Sequence, residues 1–85
     1  MNRKVIYLEQ FKENIKIYIQ SDFYEAVFAK TENLKIFPRM YPTIEKSKYR
    51  KIPFKKYIIS YTIENNYIFV CDIFPTKSNY QSIFH

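Results

Sequence analysis

Apolar and polar positions along the chain follow two different periods, one in each half. Lys4–Leu8 (KVIYL) is short, β-branched and aromatic, which predicts a strand with both faces partly covered. From Glu9 to Ile19 the spacing changes. Phe11, Ile15, Tyr18 and Ile19 fall at i, i+4, i+7 and i+8 and draw one apolar stripe on a helix, while Lys12, Glu13 and Lys16 take the other side. Ser21-Asp22 interrupts the pattern. Asp22 with Glu25 three residues on has the form of a cap for a second helix over 23–36, with Phe23, Val27, Lys30, Leu34 and Phe37 along one side. Ala26 and Ala29 are small enough to let two helices approach closely, and so short a connection makes an antiparallel hairpin.

Pro38 and Pro42 end the helical half, because the residue before a proline is pushed out of the α region. The second half reads as strands. Tyr49–Phe54 carries Pro53, which suits an edge or a bulge. Tyr57–Ile63 (YIISYTI) alternates Tyr57, Ile59, Tyr61 and Ile63 against Ile58, Ser60 and Thr62, and Tyr67–Phe74 (YIFVCDIF) is the most apolar run of the chain. Between them Asn65-Asn66 is a credible two-residue turn, since asparagine tolerates the left-handed conformation better than other residues and the chain has no glycine. Strands joined by tight turns pair antiparallel. The expected fold is α+β: a strand, a two-helix hairpin covering one face, then a three-stranded antiparallel meander, in the order β-α-α-β-β-β and as one domain over 1–85.

Composition sharpens this picture in three ways. A chain of 85 residues buries only roughly 60–65% of its unfolded surface, so the 20% aromatic content offsets a thin core with large side chains. A single cysteine, Cys71, allows no intramolecular disulfide and no cysteine-rich metal site, which fits a reducing compartment. No apolar run approaches the roughly 18–20 residues of a membrane span, and MNRKVIYLEQF has no long apolar region of the kind a signal peptide carries. The expectation is a cytoplasmic protein without a membrane partner.

Charge points to a surface. Fourteen Lys and Arg against eight Asp and Glu give +6 at pH 7 with His neutral, which suits an acidic partner. Between 46 and 56 lie Lys46, Lys48, Arg50, Lys51, Lys55 and Lys56 with no acid among them, interleaved with Tyr49, Phe54 and Tyr57. Cations neutralise phosphates and aromatic faces stack on bases. On a strand Lys48 and Arg50 would project together and Tyr49 and Lys51 oppositely; Arg39 and Lys77 extend the surface if the fold brings them near. RNA, DNA, a ribosome and an acidic peptide all satisfy such a patch, and anti-aggregation lysines on a sheet edge produce the same pattern.

Several strings together resemble the RelE/ParE superfamily of type II toxin–antitoxin toxins. KVIYLEQFKENIKIYI is similar to its first strand and helix. KIFPRMYP resembles the motif after the second helix, Tyr49-Arg50-Lys51-Ile52 its basic strand, YIISYTIENNYIFVCDIF its closing hairpin, and TKSNYQSIF its C-terminal tail. The resemblance covers essentially the whole chain. It implies a toxin that arrests growth, is silenced by a cognate antitoxin laid over the sheet and helical hairpin, and acts either on ribosome-bound mRNA as a metal-independent endoribonuclease (RelE-type) or on DNA gyrase without a known nuclease site (ParE-type). A fold relative that has lost toxicity and only binds is the alternative.

The chain departs from the RelE-type pattern where it matters for cleavage. The arginine ahead of the aliphatic-Tyr of the third strand falls on Ile58, the basic pair of the tail on Lys77 and Ser78, a histidine common in the family on Pro75, and the motif glycine on Tyr41. Arg39, Arg50, Lys51, Tyr61 and Tyr80 keep their type. Metal-independent RNA cleavage needs a base for the 2′-OH, an acid for the leaving oxygen and cations for the phosphorane. Candidates are Lys51, Lys55, Lys56 and Lys77 for charge and His85, the sole histidine, for proton transfer. Arg39, Lys46, Lys48, Arg50, Tyr57 and Tyr80 are candidates for binding nucleic acid or the target. No cofactor or metal is implied. Cys71, mid-strand, reads as an inert buried thiol, and Asp72 either faces solvent or pairs with Arg39 or Arg50.

Overall fold

The computed structural model describes residues 3–77. The first strand, β1, is Lys4–Tyr7, followed at once by helix α1, Glu9–Tyr18. Val5, Ile6 and Tyr7 are all half-buried, as a strand covered in part on both faces requires. Phe11, Ile15 and Ile19 of the predicted stripe are buried and Tyr18 half-buried. A 3-10 turn at Ser21–Phe23 leads into helix α2, Tyr24–Glu32, which tightens into a second 3-10 turn at Asn33–Lys35. Asp22 lies inside the first turn, and no side-chain cap bond is made at the start of either segment.

Three strands complete the fold: β2, Arg50–Phe54; β3, Tyr57–Glu64; and β4, Tyr67–Pro75. They form the expected antiparallel meander, and β1 returns to pair parallel with β4, so the sheet order is β1-β4-β3-β2. That parallel pairing places β1 at one edge and β2 at the other. Pro53, exposed on β2, removes no ladder bond that the sheet needs. The β3–β4 turn is the two-residue Asn65-Asn66 link, with Asn65 at φ 55°. The β2–β3 turn is Lys55-Lys56, with Lys55 at φ 54°. A non-glycine residue there is disfavoured, and the Lys55 ammonium, 4.3 Å from the centre of the Phe23 ring, supplies a cation–π contact in return.

The core lies between the helices and one face of the sheet. Phe11 and Ile15 of α1 and Ile19 just after it, with Val27 and Leu34 of the second helical segment, pack on Ile52, Ile59, Tyr61, Ile68, Val70 and Ile73. Helix meets helix through rings. Tyr7, Phe11 and Phe28 form a triangle with centroids 5.2–6.3 Å apart. Ala26 and Ala29, in contrast, are exposed, so the helices do not approach at the small residues. Tyr7 also ties β1 to α2: its hydroxyl lies 2.7 Å from Thr31 Oγ1 and donates to Glu32 Oε2 at 2.8 Å, while Lys35 Nζ lies 2.6 Å from Glu32 Oε1. Burial drives the Tyr7 hydroxyl pKa well above its ordinary value, and the hydrogen bond from Lys35 holds Glu32 below its own. No helix among the described residues is long and apolar enough to cross a membrane.

Candidate functional site: a divided basic edge

The six clustered cations all belong to β2, the loop before it or the turn after it, but they do not share one surface. Arg50 pairs with Tyr61 across β2 and β3, on the helix side, and Lys51 pairs with Ser60, so their side chains leave opposite faces of the sheet. The expected joint projection of Lys48 and Arg50 is not made. Regular strand begins only at Arg50, so the two-residue period does not reach back to Lys48. Lys48 instead sits 5.8 Å from the centre of the Tyr49 ring, at a groove of about 320 Å³ on the far face. Lys46 is exposed in the same loop. Lys55 and Lys56 occupy the turn at the other end of β2. There the Thr76 amide donates to the Lys56 carbonyl at 2.8 Å, which brings Lys77 alongside. The cations are therefore divided by position, Lys55, Lys56 and Lys77 around the β2–β3 turn and Lys46 and Lys48 in the loop before β2.

Arg50 has a structural task. Its Nη1 donates to the Tyr41 carbonyl at 2.6 Å, and one residue pair across the sheet the Tyr61 hydroxyl donates to the Pro38 carbonyl at 2.7 Å. With Thr43 bridged to Arg50 and the Lys51 amide donating to the Pro42 carbonyl at 3.0 Å, these bonds clamp the FPRMYP segment onto the β2 edge. Burial pushes the Tyr61 hydroxyl up to about 12, although the Arg50 charge pulls the other way. A hydroxyl so held is a hydrogen-bond donor and no base at neutral pH.

The remaining candidates divide. Arg39 is exposed beside this clamp. Tyr57 is half-buried on the helix side with its ring 5.7 Å from that of Tyr18, a rim residue of the core. Tyr80 and His85 lie outside the described residues. Cys71 is the extra residue of a β-bulge, because Ser60 pairs with Asp72 and Tyr61 with Val70. Its thiol donates to the Phe69 carbonyl at 3.4 Å and burial pushes its pKa up, but Cys71 is half-buried and lines the far-face groove, short of the full burial expected of it. Asp72 pairs with neither arginine. It accepts from Asn14 Nδ2 and from the Ile73 amide, both at 2.7 Å. Among the described residues no three His, Cys, Asp or Glu side chains gather in a way that could hold a metal ion. Sequence reasoning missed the clamp. Its only signal was a tyrosine and an arginine on β-strands that follow a proline-flanked loop.

A strand, two helices and a three-stranded meander with a basic edge define a RelE/ParE-like toxin fold. Residues 5–80 match the family described as ParE toxin of type II toxin–antitoxin system, parDE, and the chain belongs to that family. It is thus a toxin of the type II class, and membership implies a cognate antitoxin as partner. A search among curated proteins returned no match.

Proposed function

We propose that this toxin arrests growth by acting on DNA gyrase and does not cut RNA. The observation that carries the reading is the match of residues 5–80 to the ParE description. The geometry supports it. Phosphodiester cleavage needs an acid, a base and cations converging on one phosphate. Among the described residues the basic side chains diverge: Arg50 is engaged by Tyr41, Lys51 leaves the opposite face, and Lys55, in the turn after β2, stands about 13 Å along the chain from Lys51 at a strand rise of ~3.3 Å per residue. Ile58, where RelE-type relatives carry an arginine, is buried as a packing residue.

Two assays test this with the purified chain. Gyrase-dependent supercoiling of a relaxed plasmid is expected to fall as toxin is added, and mRNA on programmed ribosomes is expected to stay intact. Unimpaired supercoiling together with cut mRNA would overturn the reading. In that case the Lys51→Ala, Lys55→Ala, Lys56→Ala triple variant should lose its cleavage. If both substrates are untouched at concentrations where growth stops, neither mechanism holds.

A further inference from the structure

The segment that follows α2 carries a feature that the basic edge does not explain. Ile36, Phe37 and Met40 are 62%, 57% and 52% exposed, three large apolar side chains within five residues. They are not a loose loop that could fold inward. The Ile36 and Phe37 amides both donate to the Asn33 carbonyl at 3.2 Å, the Met40 amide to the Phe37 carbonyl at 3.4 Å, and Asn33 Nδ2 reaches Met40 Sδ at 3.8 Å. The Tyr61 and Arg50 bonds then fix the segment's far end to the sheet. The result is a hydrogen-bonded apolar knob beside an open groove of about 500 Å³ along the end of α2. A clustered apolar surface held in place against water marks a contact site.

Charge says what covers it. Arg39 stands exposed within the knob, and Lys30 lines the groove. The one carboxylate lining that groove, Glu32, already accepts from Tyr7 and pairs with Lys35. The surface offers apolar area with positive charge at its rim that no other acid among the groove's described lining opposes, and the chain as a whole carries +6. We infer that the knob at Ile36, Phe37 and Met40 is the docking site of an acidic segment of the antitoxin, which lays apolar side chains over the knob and carboxylates against Arg39 and Lys30. This rests on the reading that an antitoxin silences this toxin. The apolar contacts carry the affinity and the charges set orientation and association rate.

The test uses the full chain and, as probe, the cognate antitoxin that family membership implies. Titration calorimetry with Phe37→Glu/Met40→Glu is expected to show binding weakened at least about 100-fold, since two central anchors are lost and two like charges are set against the probe. Thr76→Glu is the control: Thr76 is exposed beside the β2–β3 turn, at the other end of β2 from the knob, and the change is expected to leave binding within about threefold. Hydrogen exchange on the unmodified pair gives a second measurement free of any variant's folding, with slowed exchange expected across 33–41. Wild-type affinity for Phe37→Glu/Met40→Glu, or unchanged exchange at 33–41 in the complex, overturns the docking site while leaving the antitoxin reading intact. No binding of the probe to the unmodified chain overturns that reading and the inference with it. A homodimer of the unmodified chain that the double variant converts to monomers also overturns it, since a second copy would then be the occupant.

Discussion

Ile59 and Ser60 are neighbours on β3, both fully buried, and they face opposite environments. On the helix side Ile59 joins a continuous cluster that takes side chains from both helices and three strands. On the far side Ser60 and Thr62 are buried hydroxyls, next to the half-buried Cys71, and the buried apolar residues outside the helix-side cluster are only Ile44, Ile58 and Phe74 among those described. Ile58 and Phe74 are register partners there, and the loop that contributes Ile44 also brings Lys48 and Tyr49 to the groove on that face. One face is therefore closed by regular elements and the other by a loop. A small domain with enough apolar surface for one core spends it where helices can cover it.

The two faces differ most in how their cores respond to truncation. Ile59→Ala on the helix side should cost about 4 kcal/mol, because helices and strands hemming the site cannot collapse into the cavity. Ile44→Ala should cost about 2 kcal/mol, the low end for such a truncation, because a loop can settle onto the space it leaves. Urea unfolding of both variants measures the difference. Equal losses would mean that the loop is as rigid as the helices and that the two faces do not differ in this respect.

A smaller effect sharpens the role of the clamp that joins loop to core. Tyr61→Phe removes the hydroxyl that serves the Pro38 carbonyl and should cost about 1–2 kcal/mol. It should also change the alkaline behaviour. The unfolded chain releases the phenol proton near its ordinary value of 10.0, whereas the folded chain holds it to about 12. The contribution of Tyr61 is thus complete below pH 10 and is lost as pH rises toward 12. Melting temperature should fall over that interval, less steeply in Tyr61→Phe; Tyr7 and Cys71, both shifted in the same direction, contribute to the remaining fall. Parallel curves for the two proteins would show that Tyr61 is not held neutral by the fold.

What was legible in the sequence was whatever depended on local periodicity. The stripe of Phe11, Ile15 and Ile19, the meander and the asparagine turn follow from spacing and residue type alone. The stripe through Val27, Leu34 and Phe37 holds only as far as Leu34. The helix ends at Glu32 and the 3-10 turn after it advances about 120° per residue instead of 100°, so Phe37 leaves the core face and is exposed. The parallel return of β1 to β4 is a pairing between the two ends of the chain, with no local mark. The bulge at Cys71 shifts the alternation of β4 by one, which an unbroken apolar run conceals. The cation cluster was visible as composition. Its division was not, because the period that sorts side chains onto faces applies only inside the strand, and the segment from Lys46 to Lys56 is part loop, part strand and part turn. That Arg50 holds a carbonyl while Arg39 remains exposed depends on where the FPRMYP segment folds back, a tertiary fact.

The smallest expected effect has the opposite sign from the others. Ser60 Oγ is buried without a hydrogen-bond partner among the described residues. A buried hydroxyl left unpaired forfeits its bonds to water and gains nothing in exchange. On the helix side an alanine substitution subtracts packing; at Ser60 it removes one oxygen whose desolvation is uncompensated, while the Cβ keeps its neighbours. Ser60→Ala should therefore leave stability unchanged or raise it by about 0.5–1 kcal/mol, which for a domain of this size is an increase of at most several degrees in Tm. Calorimetric melting decides it. A loss of more than about 1 kcal/mol would show that the hydroxyl has a partner on the far face and that its burial is part of how that face is held.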